Sequence, residues 1–376
     1  MRSVFTYIAG LLLAVPLHAM PVREKPTGVN TGSDSIPIGL LVTDSTRTEI
    51  ITAAQLAIDA ANDQGGTGEV PFRLVVRSTE GPWGAGSKES VSLVYDDNVV
   101  VIVGALDGRN GHVAEQVATK SHLVYLETRA TESTLSQAFV PYFKRILPND
   151  DQQAEAILQR VRRQNGGRVA VLYDQVFDHL HAARSFTSMA DRTGHPDPML
   201  LSVDTLGTDP GNLISVLHQG HVNNLVVPYR TGVTLMMIQE VRQYLPQITV
   251  YGTLGLTAAM VPGDPEWQKL EGVMAISPGS GTDAGDNLFS KKFYEKTGEA
   301  PPVELVFTYD GVSMVLQAIR NAGTDRESVK NELSSMRYAG ITGILSFDEM
   351  GNRIGKIHFY RIKEGQLVPG DPLSFR

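Results

Sequence analysis

The stretch VVVIVGALDGRNGHVAEQVA (99–118) sets an apolar run and a Gly ahead of a polar turn, Asp107-Gly108-Arg109-Asn110-Gly111. Small and apolar residues at helical spacing follow. The first N–H groups of a helix lack intrahelical partners and sit at the positive end of its dipole. Free N–H groups from Gly108 to Gly111 would therefore favour an anion. Asp107 beside them works against a simple carboxylate site, and a tight strand-to-helix turn holding nothing is the competing reading.

Catalytic constellations are missing. GAGSK (84–88) resembles a phosphate loop only superficially, because the GK[ST] ending is absent. No HExxH or GxSxG occurs. The closest His pairs, His179/His181 and His218/His221, lack the i, i+4 spacing that puts two metal ligands on one helix face. The expectation is a protein with no metal, no cofactor and no enzymatic role.

The elements that must position the turn repeat one rhythm. IPIGLLV (36–42), FRLVVRS (72–78), VVVIVG (99–104) and LVYLET (123–128) have strand length, and helices are expected at 48–61, 88–96 and 111–120. Near-continuous apolar strands alternating with helices predict a parallel sheet covered on both faces. The scheme restarts with strands at 169–173, 199–203, 225–227 and 248–252 and helices at 178–192, 210–219 and 233–244. Residues 286–297, 303–322 and 325–337 read as helices, and 344–365 as a hairpin turning near Gly351-Asn352. These last pieces are expected to complete the two earlier sheets. The fold class is therefore α/β, with two doubly wound parallel-sheet lobes.

Ligands of parallel sheets sit beyond the carboxyl ends of the strands. Those ends are polar or small where the strand interiors are apolar: Asp107 and Gly108, Glu127 to Thr131, Tyr173-Asp174, Tyr229-Arg230, and Thr253-Leu254. Tyr229 and Arg230 are candidate contacts from the second lobe. Trp83, in the Gly-rich GPWGAG loop, either covers a cleft mouth or is a half-exposed loop residue.

Composition narrows the class. The 376 residues are 42% hydrophobic and 20% charged with net charge −8, and no basic cluster stands out, which disfavours nucleic acid as a partner. There is no Cys, so disulfides and thiolate chemistry are excluded. Arg2, the apolar run from Tyr7 to Leu17 and the site Leu17-His18-Ala19 read as a signal peptide, 1–19. The run is far short of the about 20 residues that span a bilayer. Residues 20–35 read as a flexible start, and the mature protein is expected to be soluble and exported.

AAQLAIDAANDQGG (53–66), SKESVSLVYDDNVVVIVGAL (87–106), YFKRILPND (142–150), GGRVAVLYD (166–174), FTYDGVSMVLQAI (307–319) and ITGILSFDEMGNRIGKI (341–357) together resemble the type I periplasmic solute-binding proteins, most nearly the branched-chain amino-acid branch. The resemblance implies a clamshell joined by three crossings. Lobe 1 would take 36–147 plus 279–356, and lobe 2 148–278 plus 357–376. It implies a monomer that captures a small ligand (an amino acid or organic acid) in the cleft and delivers it to the permease of an ABC importer. A soluble sensor reporting to a separate membrane receptor is the alternative.

Carried over by residue, the resemblance puts Gly108 where relatives have a Ser that contacts the ligand carboxylate. Thr131 falls on a second hydroxyl contact and Ala130 on a small residue. Arg129 stands where a small residue is usual; it either forks onto a ligand carboxylate or turns away to Glu127 or Asp107. Phe177 matches a pocket Tyr, with a plain core aromatic as the other reading. Leu254 replaces the acid that holds a ligand ammonium, unless Asp107, Asp174 or Glu304 substitutes. Glu304 aligns loosely with a pocket aromatic or is a solvated helix start.

Overall fold

A computed structural model of the chain describes residues 34–82, 84–164, 166–261, 263–277 and 287–370. The apolar run Ile36–Val42 forms β1 with every residue buried, as a strand covered on both faces must be. The first lobe continues with α1 (Thr48–Asp63), β2 (Phe72–Ser78), α2 (Ala85–Tyr95), β3 (Ile102–Ala105), α3 (Gly108–Lys120), β4 (Tyr125–Glu127) and β5 (Phe143–Arg145). Its five strands form one parallel sheet in the order β2-β1-β3-β4-β5.

The second lobe opens with α4 (Asp150–Arg163), β6 (Arg168–Tyr173), α5 (Phe177–Thr193), β7 (Met199–Ser202), α6 (Val203–Leu206), α7 (Pro210–Gln219) and β8 (Val222–Val227). It goes on with α8 (Gly232–Tyr244), β9 (Thr249–Gly252), α9 (Leu254–Thr257) and β10 (Met274–Ser277). Helices α10 (Leu288–Thr297), α11 (Leu305–Ala322) and α12 (Arg326–Ser335) follow, then β11 (Tyr338–Gly340), β12 (Gly343–Leu345), β13 (His358–Lys363) and β14 (Gln366–Pro369). The second sheet runs β14-β13-β10-β9-β8-β6-β7, and only β13 runs against the rest, pairing antiparallel with β10 and β14.

Helix α11 returns to the first lobe and packs on α1, where Ala53, Ala54 and Ala57 leave room for Phe307, Val315 and Ile319 in one buried cluster. The late pieces do not all complete the sheets, however. β11 and β12 pair only with each other, and the expected 344–365 hairpin is split. Its ends belong to separate hairpins, while 346–357 crosses between lobes. Gly351, at φ +80°, lies against β5, where an added Cβ would meet the Phe143 carbonyl oxygen at 2.1 Å. Asn352 behind it is buried. The Gly-Asn pair closes the expected turn, with the Gly351 N–H donating to the Asp348 carbonyl at 3.0 Å, the Asp348 N–H to the Asn352 carbonyl at 2.9 Å and Phe347 bridged to Arg353, and it makes this tertiary contact as well.

Strand order reverses between β1 and β3 in the first sheet and between β6 and β8 in the second. Crevices open beyond the strand ends at such reversals. The chain leaving β3 there is Leu106-Asp107, and the chains leaving β6 and β8 carry Asp174 to His179 and Tyr229. The two crevices face one another.

Candidate functional site

A cavity of about 860 Å³ lies between the lobes. Its first wall carries Leu106, Asp107, Arg129, Ala130, Thr131 and Leu147; its second carries Val176, Asp178, His179, Tyr229, Arg230, Leu235 and Leu254. Arg47, Glu304 and Phe307 close one side, and Glu266 and Lys269 another.

The 128–131 turn is built on a buried carboxylate. Oε1 of Glu127 accepts the N–H groups of Thr128, Arg129 and Ala130 at 2.9, 2.7 and 2.9 Å, and Oε2 accepts from the Tyr125 hydroxyl. Burial pushes the Glu127 carboxyl up to about 7 in spite of these donors. From below, the buried Arg145 donates to the carbonyls of Ala130 (3.3 Å) and Glu132 (2.6 Å), to Ser136 Oγ (3.1 Å) and to Asn352 Oδ1 (3.3 Å). Backbone direction on this wall is therefore fixed by interior charges, leaving the Arg129 side chain to face the cavity.

Arg129 makes one ion pair among the described residues, through Nε to Glu304 Oε2 at 3.6 Å. That is beyond hydrogen-bond range, and its two Nη groups make no hydrogen bond within the described chain. Glu304 is held instead by Arg47 Nη2 at 3.0 Å, and Arg47 also pairs with Glu49. From the other lobe, Arg230 and Lys269 share the single carboxylate of Glu266 at 2.7 and 2.6 Å. His179 stacks on Tyr229 at 3.9 Å and binds Asp174 at 2.6 Å.

Several contacts join the lobes directly. Thr131 Oγ1 meets the Tyr229 hydroxyl at 3.2 Å, and the Gly108 N–H donates to both oxygens of Asp178 at 3.1 and 3.2 Å. His181 reaches Glu132 Oε1 at 3.2 Å, while His112 holds Oε2 at 2.9 Å. Hydrogen bonding and charge from Glu132 raise the His112 pKa. Burial alone would raise Glu132, but hydrogen bonds from His112 and Thr134 outweigh it and hold the carboxyl down to about 2.

This pair sets a pH window. Glu132 contributes stability above its unfolded value of 4.5 and loses it as pH falls toward 2. His112 contributes below its unfolded 6.5 and loses it as pH rises past the elevated value. His112→Ala is expected to cost about 1 kcal/mol between roughly pH 4.5 and 6.5, with solvent at the part-exposed imidazole trimming the effect. The cost should shrink at about pH 3 and pH 9. Thermal melts of both proteins across pH check this, and a cost that is flat with pH counts against it.

The profile of the family described as "Periplasmic binding protein" matches residues 35–366. This chain belongs to that family. Among curated proteins the binding protein is 27% identical over 161 residues to Glutamate receptor 3.7 of Arabidopsis thaliana, and 26% over 251 residues to Metabotropic glutamate receptor-like protein E of Dictyostelium discoideum. These matches take in 42% and 60% of the chain but span only 16% and 30% of the two receptors. Similar solved structures include an ABC transporter substrate-binding protein from Desulfitobacterium hafniense in complex with Leu, at 17% identity and TM-score 0.73 over 89% of this chain and 99% of that one. The branched-chain amino acid transporter substrate binding protein LivJ of Streptococcus pneumoniae, with isoleucine, gives 20% and 0.70 over 89% and 97%. A solute binding protein of Rhodopseudomonas palustris BisB5, with 3,4-dihydroxy benzoic acid, gives 17% and 0.73 over 90% and 97%. At these identities the likeness is one of fold, and it is the two-lobed α/β fold expected from the sequence.

Within the binding protein, Asp107, Arg129, Ala130, Thr131, Tyr229, Arg230, Leu254 and Glu304 line the cavity together. Glu304 is not a solvated helix start, since its side chain is 14% exposed between two arginines. Arg129 turns to Glu304 rather than to the carboxylates of Glu127 or Asp107. Gly108, Arg109 and Phe177 do not line the cavity. The guanidinium of Arg109 lies 5.1 Å from the Phe177 ring centroid, so the two pack on each other across the lobes. Three of the four N–H groups expected to be free are taken: α3 begins at Gly108, Asp107 caps it by accepting from Asn110 N–H at 2.9 Å, its carbonyl accepts from Gly111, and Asp178 holds Gly108. Trp83 lies outside the described residues, as do residues 1–33.

Sequence reasoning missed Arg47, Asp178, His179, Glu266 and Lys269, which reach the cavity from helix starts and loops whose apposition only the fold creates. Asp150 was missed as well. This buried carboxyl has its Oδ2 unpartnered among the described residues, and burial pushes it up to about 7. No group of three or more His, Cys, Asp or Glu among the described residues is placed to hold a metal.

Proposed function

We propose that this chain is an exported periplasmic solute-binding protein, acting as a monomer, that captures a small organic acid in the interlobe cavity and hands it to the permease of an ABC importer. The observation that carries the reading is the Arg129 guanidinium, presented on the cavity wall with both Nη groups available. A planar fork of that kind matches a carboxylate through two parallel hydrogen bonds. Leu106, Leu147, Leu235 and Leu254 supply an apolar floor for the rest of the ligand. Leu254 brings no charge, and its N–H is already bound by Gln153 Oε1 at 2.8 Å. An ammonium there would be desolvated without compensation, and the cavity carboxylates Asp107, Asp178 and Glu304 are already engaged by Asn110, Gly108 and Arg47, so the preferred ligands carry a carboxylate and no amine. Aromatic acids of the kind bound by the Rhodopseudomonas protein fit this description.

Cleavage of residues 1–19 belongs to this reading, and among the described residues no helix is long and apolar enough to cross a membrane. A sensing role shares the same cavity and is favoured by the receptors among the curated relatives; co-purification of a permease rather than a receptor separates the two. Native mass spectrometry of the purified protein, with release of the bound molecule, tests the ligand class. A co-purified carboxylate without an amine is the expected result, and a bound α-amino acid would overturn it.

A further inference from the structure

The N-terminus of α3 is an anion position that is already filled. Asp107 satisfies Asn110 from the cap, and its own carbonyl accepts from Gly111 at 2.8 Å. The Gly108 N–H points across the cleft, and there it meets both carboxylate oxygens of Asp178, from the first turn of α5 in the opposite lobe. The contact depends on residue 108 having no side chain. A Cβ on Gly108 would come within 2.8 Å of Asp178 Oδ1 and 2.9 Å of Glu132 Cβ, which is backed by the rest of its turn. Gly108 and Asp178 are thus matched to each other across the interface. The same turn of α5 supplies the neighbouring bridges, with Phe177 against Arg109 and His181 on Glu132.

We propose that Asp178 is a built-in surrogate anion: it occupies the place at the start of α3 that a ligand carboxylate would take, holds the two lobes together without ligand, and excludes carboxylates from that end of the cavity. The exclusion rests on the function proposed above, because it directs the ligand's acid group to Arg129. The closure does not rest on it. Two negative groups cannot share one N–H donor beside Asp107, so an incoming carboxylate must either displace Asp178 or bind elsewhere. A clamshell held by its own side chain also starts in a form that many binders reach only with ligand.

The test is small-angle scattering of ligand-free wild type and Asp178→Ala, with and without acetate or acetamide. Wild type is expected to scatter as the closed form and to ignore both additives. Asp178→Ala is expected to show a larger radius of gyration, and acetate, which restores the missing carboxylate, should return it to the wild-type value while acetamide does not. Gly108→Ser should open the protein as Asp178→Ala does, since its side chain evicts Asp178 while leaving that residue in place. Circular dichroism confirms that each variant is folded, and Asp178→Asn, which keeps an acceptor oxygen, should be intermediate. An unchanged radius in Asp178→Ala overturns the latch, and opening without acetate rescue overturns the surrogate-anion assignment. Neither outcome depends on finding the natural solute, so failure of the solute screen and failure of this proposal are separate results.

Discussion

Arg145→Met lowers the unfolding free energy by about 3–5 kcal/mol and abolishes solute binding, a larger effect than any single substitution on the cavity surface. The guanidinium is fully enclosed, and burial lowers its pKa although it remains charged. Methionine would fill much of the volume and none of the bonding. The carbonyls of Ala130 and Glu132 and the Ser136 hydroxyl would lose a charged donor, each buried acceptor left wanting at about 1–3 kcal/mol. Asn352 Oδ1 alone keeps a second donor, Asn149 Nδ2 at 3.2 Å. The loss also spreads. Arg145 is a favourable charge for Asp150, Glu127 and Glu132, and without it the first two, already near 7, would rise further. Arg145→Lys keeps the charge but not the fork, so it should recover only part of the loss. Urea denaturation of the three proteins checks the order, and a Met variant within 0.5 kcal/mol of wild type, roughly the noise expected of a neutral surface change, would show that the loop is held by something else.

Arg145 also marks where the sequence stops being legible. β1 and β3 could be read because a strand buried on both faces must be apolar throughout, and Ile36–Val42 meets that condition by itself. Nothing in Phe143-Lys144-Arg145 reports that its Arg is interior, because burial of a charge depends on carbonyls from 130 and 132 and an amide from 352. The first turn of α3 escaped for a related reason. Gly-Arg-Asn-Gly has poor helix propensity and reads as a turn, yet the Asp107 cap and the Asp178 carboxylate stabilise it as helix. Gly351-Asn352 does mark a turn, but a tight one within 346–354, because the chain beyond it leaves to pair with β10 in the other sheet. The strand-end rule found Arg129, Thr131, Tyr229 and Arg230 because strand ends are local. It could not find Asp178, Lys269 or Arg47, which lie several residues past a strand end or in a separate 3-10 turn and reach the same cavity only through the fold.

Arg129→Gln reduces carboxylate affinity by roughly 10- to 100-fold, or about 1.4–2.7 kcal/mol, as expected for losing a two-point charged hydrogen bond. The fold should survive, because Glu304 keeps Arg47 at 3.0 Å. Arg230→Gln should cost less, roughly 3- to 10-fold, since Arg230 is committed to Glu266. The two sit on different lobes without shared partners, so their effects should multiply. The sharper test is one of sign. Glu304 is the carboxylate that competes with the ligand for Arg129, and its side chain makes no capping bond to α11. Glu304→Gln should therefore raise carboxylate affinity, whereas any account in which Glu304 receives a ligand ammonium requires it to fall. Calorimetric titration with 3,4-dihydroxybenzoate and with its neutral amide separates the charge effect from shape. The amide should be nearly indifferent to all three substitutions. If the acid and its amide respond alike, Arg129 is a structural neighbour of the cavity and the ligand's anion lies elsewhere.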